Sequence, residues 1–172
     1  EFCASNSSVI ADENGDYEDW IELYNNGDTS IHLLGYTLSD DLNDLAKWSF
    51  SDTSLGPDAY LLIWADDDDE DGPLHTNFKL ASGGEAIYLS HQGEVVDEIT
   101  FGGQTTDVTS GRYPNGTGPF VLMEATPAAF NNGQRVSVTA IDKHTFSIFP
   151  NPLTGRFYVE SDMNGTAILM NA

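Results

Sequence analysis

Glu18-Asp-Trp-Ile-Glu-Leu-Tyr24 is the stretch that decides the fold. It sets Trp20 and Ile21 in a mix of polar and apolar neighbours, as strands do. Runs of similar character lie downstream: Ser30–Leu38, Ala46–Phe50, Ala59–Ala65, Glu85–Ser90 and Val95–Phe101 are short and rich in β-branched and aromatic residues. The pairs Asn26-Gly27, Gly56-Pro57, Asp71-Gly72 and Gly83-Gly84 punctuate the series. Short strands at regular spacing, divided by such turns, predict an all-β sandwich or barrel. No long segment carries a 3.6-residue apolar period, and one helical turn is expected near Asp40–Ala46.

The 172 residues hold 28 Asp+Glu against 6 Lys+Arg, a formal net charge of -22. A surface this acidic repels phosphate backbones and anionic lipid surfaces, which argues against nucleic acid and membrane partners. Disorder does not follow, because 40% of the residues are apolar and 11% aromatic, enough for a packed core. No apolar run approaches the roughly 20 residues of a transmembrane helix, so no membrane insertion is expected. The chain starts at Glu1 without a signal-peptide pattern and reads as a fragment of a longer precursor. Cys3 has no second cysteine to pair with, and a small core residue is the expectation for it.

Strand signals thin out after Met123. The expected division is a β-sandwich over 1–132, a polar linker over 133–144 and a partial second β unit over 145–172. The linker contains one short alternating run, Val136–Ile141. In the second unit, strand-like runs flank Pro150-Asn151-Pro152, where both prolines fix φ and bar regular pairing. So short a piece cannot close a core, so this unit is expected to be cut short.

Five separated stretches carry a resemblance to one family. Asp19-Trp-Ile-Glu-Leu-Tyr-Asn25 resembles the central signature of the lamin tail domain. Glu1-Phe2 and Ala4-Ser5-Asn6 resemble the opening strand of its bacterial members, and His32–Asp40 their LxGYxLSD stretch. Leu55–Ile63 is similar to the LxPGxYLLV strand, and Ala125–Asn131 to the ATPGxxN exit. Two departures stand out: Asp58 replaces the usual glycine of the turn, and Cys3 an aliphatic residue. The resemblance implies an immunoglobulin-like β-sandwich with Trp20, Leu23, Leu34, Tyr36, Trp48 and Trp64 in its core. It further implies an interaction module rather than an enzyme. Bacterial members occur in secreted or surface proteins, often beside hydrolases or spore-coat-type kinase domains.

Phe146–Val159 resembles the first motif of the type A C-terminal sorting domain of the type IX secretion system. Phe149, Pro150, Asn151, Pro152 and Gly155 carry the match. The resemblance implies an address read by the type IX machinery, hence a secreted or cell-surface location.

Two acidic stretches are candidate cation sites. Asp66, Asp67, Asp68 and Asp69 open a run that continues through Glu70 and Asp71. Such adjacent acids repel unless solvated or metal-bound, and their hard oxygens suit Ca²⁺. Asp12, Asn14 and Asp16 have the alternating spacing that opens many calcium loops. Tyr17 and Leu23 occupy the positions where an EF-hand needs Gly and Glu, so the loop is not one. The four histidines are scattered, which does not support a catalytic zinc site. His75 is expected to hydrogen-bond a carboxylate and order its loop, with a raised pKa. No GxSxG, P-loop or GxGxxG pattern is present. The expected function is therefore a non-catalytic accessory, adhesion or positioning module that meets a surface or polymer ligand. The alternative is a substrate-binding accessory domain of an extracellular hydrolase or spore-coat-type kinase protein.

Overall fold

The computed structural model describes residues 1–133 and, beyond them, two short paired strands, Val159–Glu160 and Thr166–Ala167. The chain divides into two compact units, Glu1–Ser137 and Val138–Ala172. In the first unit the strands follow in chain order as β1 (Phe2–Cys3), β2 (Trp20–Tyr24), β3 (Ile31–His32), β4 (Tyr36–Ser39), β5 (Trp48–Ser49) and β6 (Ser54–Leu55). After these come β7 (Tyr60–Trp64), β8 (Glu85–His91), β9 (Glu94–Phe101), β10 (Val108–Arg112) and β11 (Phe120–Glu124). All pairings between these strands are antiparallel. One sheet has the order β11-β10-β1-β2-β7 and the other β5-β4-β8-β9, with β3-β6 as a small separate ribbon. No helix is present among the described residues, and the architecture is an immunoglobulin-like β-sandwich.

The side-chain period of two sets the core. Phe2, Ile21 and Ile63 stand opposite one another across three strands and face the second sheet. Leu38, Trp48 and Ile87 meet them from that side, and Leu33, Phe50, Leu55, Phe78 and Leu80 close the ends. Phe2 also touches Phe101 and Phe120, with ring centroids 4.6 and 6.0 Å away. The reverse face of the same strands is buried too. There Trp20 lies opposite Cys3 and Trp64, and Val9, Ile10, Leu62 and Ala125 cover the trio. Burying a tryptophan contributes roughly 2–3 kcal/mol, so this second cluster is a substantial part of the fold. Cys3 is fully buried, as a small core residue should be.

Two local expectations are corrected. Ser30–Leu38 is not one strand but β3 and β4, separated by a tight turn in which the Tyr36 amide donates to the Leu33 carbonyl. Gly35 takes a φ of 89° at that turn, a conformation that glycine adopts without strain. Leu34 therefore sits at the tip, 59% exposed, and Leu33 takes the core position expected of it. Trp20, Trp48 and Trp64 are buried as expected, while Leu23 and Tyr36 pack against the core half-buried. The helical turn expected near Asp40–Ala46 is absent. Asp41 forms a local turn instead, accepting from the Asn43 amide through its side chain and from the Asp44 amide through its carbonyl, the competition by which Asp disfavours helix.

Asp58 has a physical explanation in the Gly56–Ala59 turn, where the Ala59 amide donates to the Gly56 carbonyl. Its φ of 55° is left-handed, and Asp tolerates that region better than most residues other than glycine and Asn. Its Oδ1 accepts a 2.8 Å bond from the Tyr24 hydroxyl. Asp58→Ala should lower stability by about 1–2 kcal/mol, while Asp58→Gly should cost less than about 0.5 kcal/mol, because glycine removes the strain. Urea denaturation of the two variants checks this. Equal losses would mean that the Tyr24 bond, not the backbone, decides.

Candidate functional site

The ionisable and amide side chains around β2 converge on loops rather than on an open cleft. Asp19 accepts a 3.1 Å bond from the Asn6 amide and so ties down the N-terminal loop. Glu22, buried on the outer face, accepts from the Ala128 amide. Asn25 donates to the carbonyls of Thr29, Leu55 and Gly56 and accepts from the Gly27 amide. The exit segment gains further clamps: the Glu1 carboxylate accepts from the Thr126 amide and hydroxyl, and Asn131 bonds to Arg112, Asn115 and Thr126. Burial pushes the Asp19 carboxyl up to about 6 and the Glu22 carboxyl up to about 7, against the hydrogen bonds that favour their ionised forms.

A cavity of about 180 Å³ opens between the sheets, with Leu23, Leu38, Leu89 and Ile99 among its apolar walls and Asn25, Asn115 and Arg112 among its polar ones. Its polar groups are engaged structurally: Asn25 and Asn115 hold loops, and Arg112 pairs with Asp97.

The two acidic stretches lie side by side. After β7 the chain bends through Asp66–Asp71 and returns so that Leu74–Thr76 pairs with the end of β7. The Trp64 amide donates to Leu74 and the Thr76 amide to Trp64. Asp66 is buried and its Oδ2 is hydrogen-bonded to Nδ1 of His75. Burial disfavours the charged ring, but Asp66 and Glu13 outweigh it and the His75 pKa is raised, as expected from sequence. Asp67, Asp68 and Asp69 are exposed. In the other loop, Oδ1 of Asp12 accepts from the amides of Asn14 and Asp16. Asn14 Nδ2 donates to Asp71 at 3.1 Å. The site residues singled out from sequence are thus split. Asp12 and Asn14 reach Asp71 and His75, whereas Asp67, Asp68 and Asp69 stay outside that group. Sequence reasoning missed Glu13 and Asp71 as neighbours of His75. The available signal was the Asp71-Gly72-Pro73 turn, which folds the chain back on itself. Phe149, Pro150, Asn151, Pro152 and Gly155 lie outside the described residues.

Two antiparallel layers around a shared apolar core, with a signature strand whose polar residues bind loops, define an immunoglobulin-like module. The lamin tail domain family matches residues 6–103, more than half of the chain, and the chain belongs to that family. No curated protein and no solved structure matches it.

The raised carboxyl pKa values imply a pH dependence of definite sign. Unfolded, Asp19 and Glu22 release their protons near 3.8 and 4.5; folded, they hold them to about 6 and about 7. Between those limits the folded state binds more protons, so stability falls as pH rises through that window. Thermal melts should give a higher Tm at pH 5 than at pH 8. Glu22→Gln keeps an oxygen for the Ala128 amide and removes the buried charge. It should stabilise the protein at pH 8 by on the order of 1–2 kcal/mol, allowing for screening, and flatten the pH slope. An unchanged slope would assign the dependence to general repulsion among surface acids.

Proposed function

We propose that this chain is a non-catalytic positioning or adhesion module of a secreted or cell-surface bacterial protein, exported by the type IX route. The observation that carries the reading is the use of Asp19, Glu22 and Asn25. Each is committed to closing a loop of the sandwich, which leaves the signature strand no group poised for chemistry. The alternative, a substrate-binding accessory domain of an extracellular hydrolase or spore-coat-type kinase protein, calls for a receptive pocket. The inter-sheet cavity of about 180 Å³ is smaller than the roughly 300–1,000 Å³ of ordinary ligand pockets, which favours the positioning role. Export rests on the resemblance of Phe146–Val159 to a sorting motif.

The sandwich over 1–132 is expected to fold without the tail, since every cluster of its core lies within those residues. A fragment ending at Asn132 should melt cooperatively by circular dichroism; a broad, non-cooperative loss of signal would refute an independent module. Separately, the segment from Phe146 to the natural C-terminus, fused to a periplasmic reporter in a bacterium with the type IX system, should carry the reporter to the cell surface. A reporter retained in the periplasm would defeat the export proposal.

A further inference from the structure

His75 is completely buried, yet only one of its ring nitrogens is hydrogen-bonded. Nδ1 is held by Asp66. Nε2 makes no well-aligned hydrogen bond and is met instead by the Glu13 carboxylate in an ion pair at 3.3 Å. A buried polar atom left in this way is costly unless something else binds it. The surroundings of that nitrogen are acidic. A ring nitrogen of His75 and one carboxylate oxygen each of Asp12 and Asp71 lie within 4.8 Å of one another. Since Asp66 occupies Nδ1, Nε2 is the nitrogen left to face a ligand.

The partners of these groups are arranged as a metal site's outer shell is. A ligating histidine commonly gives its other ring nitrogen to a carboxylate, and ligating carboxylates are themselves hydrogen-bonded. Here Asp66 holds His75, backbone amides hold Oδ1 of Asp12, and Asn14 holds Oδ2 of Asp71. The second oxygen of Asp12 and of Asp71 makes no hydrogen bond among the described residues and is left to ligate. Gly72 adds room: a Cβ there would come within 3.3 Å of the His75 ring and 3.4 Å of the Glu13 carboxylate.

From this geometry we infer a binding site for a divalent first-row transition-metal ion, held by Nε2 of His75 and by Asp12 and Asp71, with Glu13 as a fourth ligand. One imidazole with carboxylates suits zinc and its neighbours, whereas calcium takes oxygen ligands. Around a tetrahedral ion with bonds of about 2.0–2.2 Å, ligand atoms sit roughly 3.5 Å apart. Closing Asp12, Asp71 and His75 from their observed spread takes a shift of little more than an ångström, which exposed Asp71 can make; the largely exposed Glu13 lies outside that spread and would turn in from its place 3.3 Å from Nε2. The site would join the N-terminal loop to the loop after β7, a cross-link that neither acidic stretch can make alone. It goes beyond the positioning role and does not depend on it.

The test is a thermal melt of the full chain in EDTA, zinc, cobalt, manganese and calcium, with nitrogen NMR of the histidine rings. Micromolar zinc should raise Tm where calcium at the same concentration does not, and the Nε2 resonance of His75 should move on zinc addition. His75→Gln risks the fold because the ring is buried, so Asp71→Asn and Glu13→Gln are the working variants. Asp71→Asn should keep the metal-free Tm and weaken the zinc midpoint by about tenfold or more. The inference is overturned if none of the transition metals raises Tm, if calcium acts at lower concentration than zinc, or if the His75 resonance responds to pH alone. A zinc midpoint unchanged in both variants would likewise overturn it, by placing the ion elsewhere.

Discussion

Strand β2 is covered on both faces, and the rest of the first unit is arranged around that constraint. Ile21 and Leu23 point into the space between the sheets, while Trp20 and Glu22 point the other way, under the N-terminal loop and the exit segment. A sheet buried on one side only would leave Trp20, Cys3 and Trp64 facing water. Here two loops form a partial third layer, and polar residues of the same strand hold them there. Asp19 and Glu22 flank the apolar pair Trp20-Ile21, so one short segment supplies both the apolar surface to be covered and the anchors for its cover. This coupling explains why acids are tolerated in so buried a setting. Each accepts a backbone amide that would otherwise lack a partner.

Much of this was legible in the sequence. The runs that became β2, β7, β8 and β9 combine β-branched or aromatic residues with clear turn pairs, and they lie where the spacing put them. Less was visible at Val108–Arg112, a strand reading VTSGR that is buried over most of its length. Its Gly111 looks like a breaker, but a Cβ there would come within 2.7 Å of both Met123 Sδ and Asn131 Nδ2. The strand is set by what packs on it, a requirement that propensity does not encode. Leu34 failed for a related reason: in Leu33-Leu34-Gly35, composition does not say which leucine turns inward, and the φ of Gly35 does.

The candidate site was legible only in pieces. Asp12, Asn14 and the acidic run drew attention through charge density, and His75 through its position after that run. What joined them was a return of the chain at Gly72–His75 and a parallel bridge from Trp64 to His75. Non-local pairing of this kind leaves no periodic trace. The chemical expectation for His75 is met: a histidine following a dense set of carboxylates does take one of them as partner.

The exit of the chain from the sandwich has a mechanical meaning. After β11 the segment Ala125–Asn131 lies across the outer face, and Glu1, Glu22, Arg112 and Asn115 hold it there through hydrogen bonds. A pull on the chain beyond Asn131 thus loads these bonds before it loads any strand. Peeled away, its seven residues could extend to at most about 25 Å, at roughly 3.3–3.6 Å each, and the slack gained is that length less the distance the segment already spans. Tension arriving from the C-terminal side thus meets a set of side-chain clamps first and the sheets only after them.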